Sequence, residues 1–108
     1  MIVKQRYNKF KNIPTFVDGI RFASKKEAGR YQELKLLEMN DEIRNLELQP
    51  RFSCVVNGKK VCDYVADFRY FSNNSYVVED VKGKKTDVYK LKKKLVEALW
   101  PGVTITEV

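Results

Sequence analysis

Polar and apolar positions change rhythm several times along this chain, and each change marks an expected element. Between residues 15 and 22, apolar side chains flank Asp18-Gly19, a pair suited to the positive φ angles of a tight hairpin turn. Ser24-Lys25-Lys26-Glu27 then carries the S-x-x-E spacing of a capping box, and Tyr31, Leu34 and Leu37 recur at helical spacing. A helix to about Met39 follows. Beyond it the period falls to two. Strands are expected over residues 46–56, 60–71 and 75–82, joined by Asn57-Gly58 and Asn73-Asn74, with Gly83 ending the third. Thr86 is a good N-cap for a second helix reaching about Leu99, with Val88, Leu91, Leu95 and Leu99 facing inward. Pro101-Gly102 stops that helix, and residues 103–108 form a last strand.

The order is therefore αβββαβ, an α/β arrangement in one domain over residues 15–108. A polar, basic arm over residues 1–14 precedes it. The helix between the third and fourth strands is a crossover that makes those strands parallel, so the four-stranded sheet is mixed and flanked by helices.

The turns also set registers. If Val56 pairs with Lys59, Cys54 lies opposite Val61 and Cys62 opposite Ser53, so the cysteines face opposite ways and stay free thiols. If Ser72 pairs with Ser75, Asp67 lies opposite Asp80. Lys82 shares the face of Asp80, while Glu79 and Val81 point away. Opposed carboxylates repel, and a cation relieves them. Mg²⁺ suits the task because it takes few carboxylates and completes its shell with water and phosphate oxygens. A salt bridge to Lys82 or to the Lys84-Lys85 pair is the alternative that spacing leaves open. Two other polar residues stand at apolar positions. Glu27 shares a face with Tyr31 and Leu34, although a capping box wants glutamate there for local reasons. Lys92 lies inside the apolar stripe of the second helix, where it either snorkels or reaches an anionic centre.

Composition narrows the chemistry. The chain has 108 residues, 44% hydrophobic and 32% charged, which suits a soluble globular domain. It has no histidine, which excludes Ser-His-Asp and Cys-His triads and imidazole zinc sites. Its two cysteines cannot complete a structural zinc site. Carboxylates and lysines remain. The net charge is +7, concentrated in two zones: residues 1–30 hold eight basic side chains against Asp18 and Glu27, and residues 82–94 hold seven lysines against Asp87. That pattern points to a polyanion, nucleic acid first. Neither zone has an amphipathic membrane-anchoring face, no apolar run approaches the roughly 18–20 residues of a membrane span, and no signal-peptide core is present. A cytoplasmic location is expected.

Glu27, Asp67 and Asp80-Val81-Lys82, in this order and topology, resemble the motif of the PD-(D/E)XK, or restriction-endonuclease-like, nuclease superfamily. The resemblance covers about residues 15–108. Ser24-Lys25-Lys26-Glu27, Leu48-Gln49-Pro50, Ala66-Asp67-Phe68, Glu79-Asp80-Val81-Lys82-Gly83 and the helix around Tyr89-Lys90-Leu91-Lys92-Lys93-Lys94-Leu95 look especially like a compact family of phage and prophage proteins. Transposon-end nucleases and archaeal Holliday-junction resolvases look like more distant relatives. One departure is Ala66, where the superfamily motif has proline.

The resemblance implies a DNA endonuclease, phage or prophage encoded and acting in a bacterial cytoplasm, on branched or otherwise structured DNA. It would work as a homodimer and use no small-molecule cofactor. Asp67 and Asp80 would bind Mg²⁺ or Mn²⁺ with the Val81 carbonyl, and Glu27 would complete the metal's water shell. Lys82 would orient or deprotonate the attacking water, and Lys92 would contact the scissile or an adjacent phosphate. Lys25, Lys26, Lys84, Lys85, Lys90 and Lys93 would hold the DNA backbone. A DNA-binding or assembly module that retains the fold without catalysis is the competing expectation.

Overall fold

Each turn dipeptide closes the hairpin its sequence predicts. Asp18-Gly19, Asn57-Gly58 and Asn73-Asn74 all have positive φ, between 50° and 78°, a region that Gly, Asn and Asp tolerate best. The pairs flanking them are Val17 with Ile20, Val56 with Lys59, and Ser72 with Ser75. The structure is a computed structural model, and it describes residues 13–108; most of the basic arm expected over residues 1–14 lies outside the described residues.

The elements are β1 (Thr15–Val17), β2 (Ile20–Phe22), helix α1 (Lys25–Met39), β3 (Arg44–Leu48), β4 (Arg51–Val56), β5 (Lys59–Val65), β6 (Phe68–Ser72), β7 (Ser75–Asp80), helix α2 (Asp87–Leu99) and β8 (Ile105–Glu107). The protein is mixed α/β. Its four-stranded sheet has the order β3-β6-β7-β8, with β7 and β8 parallel and the other neighbours antiparallel. Both helix starts fall where expected, with the Ser24 and Thr86 hydroxyls accepting from the backbone N–H of Glu27 and Tyr89.

The first two long strands are each broken in two, which period-two patterning does not foresee. Gln49 adopts φ +53°, unusual for a side chain of its kind, and Pro50 has no N–H to give a ladder. Opposite them lie Ala66 and Asp67, stitched by Gln49 N–H to Asp67 O and Ala66 N–H to Pro50 O, both at 3.0 Å. Across this joint the inward faces swap. Leu46, Leu48, Phe68 and Tyr70 pack in the core that includes Tyr31 and Leu34 of α1. Phe52, Cys54, Tyr64 and Ala66 pack in the other core, with Tyr89 and Val96 of α2. Hairpin β4–β5 thus forms its own two-stranded sheet. Asp67 sits at the joint between the two cores.

Two sequence expectations are corrected. A bulge between Cys54 and Val55 shifts the β4–β5 register by one, so Cys54 pairs directly with Cys62; both are free thiols. Helix α2 is also rotated from its expected orientation. Val88 and Leu91 are 63% and 68% exposed, whereas Tyr89 and Val96 are buried, with Leu95 and Leu99 packed at the core's margin. Tyr89 supplies more apolar surface than Val88, and the aliphatic stems of half-buried Lys92 and Lys93 continue its stripe. Among the described residues no helix is long and apolar enough to cross a membrane.

Candidate metal and phosphate site

The ends of three elements meet where the β6–β7 hairpin leaves the sheet. Asp67, just ahead of β6, donates its backbone N–H to Glu79 O at 3.1 Å and accepts the Val81 N–H on Oδ2 at 2.7 Å. The observed β6–β7 register, Phe68 with Glu79 through Ser72 with Ser75, is the one expected from Asn73-Asn74, and it brings Asp67 level with Asp80. Burial raises the Asp67 carboxyl above its ordinary range, while the Val81 bond and the Lys82 charge pull it back.

Asp80 ends β7 and is 1% exposed. The Tyr64 hydroxyl donates to its Oδ2. Its Oδ1 is buried without a hydrogen-bond partner among the described residues, and the Lys82 ammonium stands off at 3.9 Å. Burial pushes the Asp80 pKa up to about 6 despite the neighbouring Lys82 charge. Glu27 approaches from the first turn of α1. Its carboxyl is raised by burial first and by the Asp67 charge next, lowered by the Ala23 backbone and Lys82, and raised again by Asp80. Glu27 thus feels the charges of Asp67, Asp80 and Lys82, and Lys82 acts on all three carboxyls.

A cleft of about 760 Å³ opens over Glu27, Asp67 and Lys82, lined also by Lys25, Lys26, Val81 and Lys84 and by both helix N-caps, Ser24 and Thr86, with Asp80 buried behind this lining. Lys26 Nζ donates to the Lys82 carbonyl at 3.3 Å. The remaining candidates lie elsewhere. Lys85 pairs with Glu107 at 2.9 Å, Lys93 pairs with Glu97 at 3.3 Å, and Lys90 is exposed on α2. The charges acting on Asp80 are those of Lys82 and Glu107, while Lys92 acts on Cys54. Lys92 is half-buried on α2 and does not line the cleft.

Sequence reasoning missed Tyr64 and Tyr89. Tyr89 holds the Lys82 ammonium 4.4 Å from its ring centroid, and its hydroxyl donates to Glu107 Oε2 at 2.7 Å. A helical stripe traced through Tyr89 rather than Val88 is the signal that finds it. Glu79 does point away from Asp80, as alternation requires, but into a buried ion pair with Arg30.

Among the described residues, no three His, Cys, Asp or Glu side chains are grouped closely enough to hold a metal. Mg²⁺ needs fewer: one or two carboxylates with waters and substrate oxygens are its ordinary set. A buried carboxylate oxygen with no partner, beside a second carboxylate, fits that demand.

The family described as "Protein of unknown function (DUF1064)" matches residues 4–108. The chain belongs to DUF1064. No curated protein and no solved structure gives a significant match. The DUF1064 match spans every element from β1 to β8.

Proposed function

We propose that this DUF1064 protein is a divalent-metal-dependent DNA endonuclease with a restriction-endonuclease-like core. The observation that carries the reading is the unpartnered, buried Oδ1 of Asp80 at a cluster of two further carboxylates and Lys82, beneath a lysine-lined cleft. Such an arrangement is costly to the fold on its own and becomes favourable when a hard cation enters. Asp67 and Asp80 would hold Mg²⁺ or Mn²⁺, with the Val81 carbonyl available beside them. A divalent ion held there would supply an acidified water and charge neutralisation at the phosphate.

The chain's own groups do the rest. Lys82 lies close enough to Oδ1 to orient the attacking water and to stabilise negative charge growing on the phosphate oxygens. Glu27, raised and half-buried beside Asp67, would accept hydrogen bonds from waters around such an ion. Lys25 and Lys26 line the cleft where the flanking phosphates pass. Replacing both by Gln should weaken DNA binding about equally for all sequences. The slope of log affinity against log salt should fall by about two, one for each lost phosphate contact. Fluorescence anisotropy at several salt concentrations measures it.

One observation favours a second reading, a DNA-binding or assembly module without catalysis: the absence of a three-ligand group among the described residues. Cleavage of linear, flapped, nicked and four-way DNA with Mg²⁺ or Mn²⁺ separates the two. The nuclease reading expects metal-dependent products that Asp80→Ala loses while DNA binding persists. A module binds the same DNAs, cuts none of them, and gains no stability from Mg²⁺.

A further inference from the structure

The buried hydroxyl of Tyr64 and the ring of Tyr89 touch the two groups on which the proposed chemistry turns. Tyr64 is buried on β5 and donates to Oδ2 of Asp80, which fixes the plane of that carboxylate and leaves Oδ1 as its open oxygen. Tyr89, on α2, lies with its centroid 6.4 Å from that of Tyr64. Its own hydroxyl is tied to Glu107 on β8, and Glu107 is in turn paired with Lys85. The Tyr89 ring is therefore held from both sides. Its electron-rich face sits 4.4 Å from the Lys82 ammonium, which is itself 3.9 Å from Asp80 Oδ1.

A lysine with four rotatable bonds lies at 3.9 Å, beyond good hydrogen-bond distance, so the weak ion pair alone does not fix its position. The ring does. From these contacts we infer that Tyr64 and Tyr89 are positioning residues: Tyr64 presents Asp80 Oδ1 as the metal-ligating oxygen, and Tyr89 seats the Lys82 ammonium beside it. The inference rests on the metal-site reading above. A partner that orients a ligating carboxylate is worth about 10–100-fold in metal affinity.

Titration calorimetry with Mn²⁺ alone tests the first half, on wild type, Tyr64→Phe and Tyr89→Leu. Tyr64→Phe keeps the buried ring and loses only the donor; it should stay folded by circular dichroism and bind Mn²⁺ about 10–100-fold more weakly. Single-turnover and steady-state cleavage test the second half. Tyr89→Leu should lower kcat by about tenfold, with KM and Mn²⁺ affinity close to wild type. Tyr89→Phe, which keeps the ring face, should restore most of that rate. Wild-type Mn²⁺ affinity in folded Tyr64→Phe, or equal kcat in Tyr89→Leu and wild type, overturns the inference while leaving the nuclease reading intact. No Mn²⁺ binding by the wild-type chain overturns both. The Tyr89 variants give an answer even where Tyr64→Phe fails to fold.

Discussion

Asp80→Asn should melt at a higher temperature than wild type without divalent metal, and should lose nearly all DNA cleavage. The two effects have one cause. In the folded protein the Asp80 carboxyl titrates near 6, against an ordinary value of 3.8, because its charge is buried with one oxygen unpartnered. Each pKa unit corresponds to about 1.4 kcal/mol, so the ionised side chain opposes folding by roughly 3 kcal/mol at neutral pH. Asparagine removes the charge and can still accept from Tyr64, but its amide N–H groups need partners. A net gain of about 1–2 kcal/mol is expected, or several degrees in melting temperature for a domain of this size.

The pH dependence follows from the same shift. Because the folded pKa is raised, the folded state binds more protons than the unfolded chain between about pH 4 and 6. Metal-free wild type should therefore gain stability as pH falls from 7 toward 4, with Glu27 and Asp67 acting in the same direction. Asp63 and Glu107, whose carboxyls are lowered by their lysine partners, oppose this as pH falls through their ordinary values of 3.8 and 4.5, so Glu107 already trims the gain near the lower end of that range. In Asp80→Asn the profile should flatten between pH 4 and 6. Mg²⁺ should act oppositely, binding better as Asp80 ionises above about pH 6. Thermal melts across pH, with and without Mg²⁺, measure all of this. A wild-type profile that rises from pH 5 to 7 without metal would contradict it. Cleavage by Asp80→Asn should fall by on the order of a thousandfold, as expected when charge stabilisation is lost from the reacting centre.

The largest loss of stability should come from Arg30→Met. Glu79 is 1% exposed, and Arg30 clasps both its oxygens, through Nε at 2.8 Å and Nη2 at 2.7 Å. The Tyr70 hydroxyl completes the shell, and its pKa is pushed up to about 12 by burial and by that carboxylate. Glu33 holds the far side of the guanidinium at 3.0 Å. Methionine keeps the packing volume of the stem but leaves the carboxylate buried and uncompensated, at a cost of about 3–5 kcal/mol. Against a typical total of about 5–15 kcal/mol, such a loss leaves a marginal fold. Adding Glu79→Leu to Arg30→Met should recover most of it, because the removed partners no longer include an orphaned charge. Urea melts of the single and double variants check this. A double variant no more stable than Arg30→Met would contradict it.

Turn chemistry made much of this architecture legible. Asn73-Asn74 alone fixed the register that brings Asp67 level with Asp80, because a two-residue loop leaves no freedom in how its flanks pair. Thr86 and Ser24 marked both helix starts for a comparable local reason. What stayed hidden depends on contacts between elements. The expected strand over residues 46–56 ran through Pro50, and the face swap that carries Tyr64 toward Asp80 arises from two paired strands bending together at Gln49 and Asp67. The rotation of α2 was hidden because a lysine-rich helix offers two stripes of similar length, and only the packing of Tyr89 against Lys82 and Glu107 chooses between them. The bulge beside Cys54 left no mark in composition. Arg30 and Glu79 lie 49 positions apart in the chain, and no local pattern pairs them.

In the proposed function this carboxylate-and-lysine cluster cuts DNA with the help of a divalent metal. Wild type and Asp80→Ala, incubated side by side with linear, flapped, nicked and four-way DNA in Mg²⁺ or Mn²⁺, test it most directly. Wild type should give metal-dependent products from at least one structured DNA, and Asp80→Ala none at equal DNA binding. Equal cutting by the two proteins, or no cutting of any substrate by wild type in either metal, would contradict it.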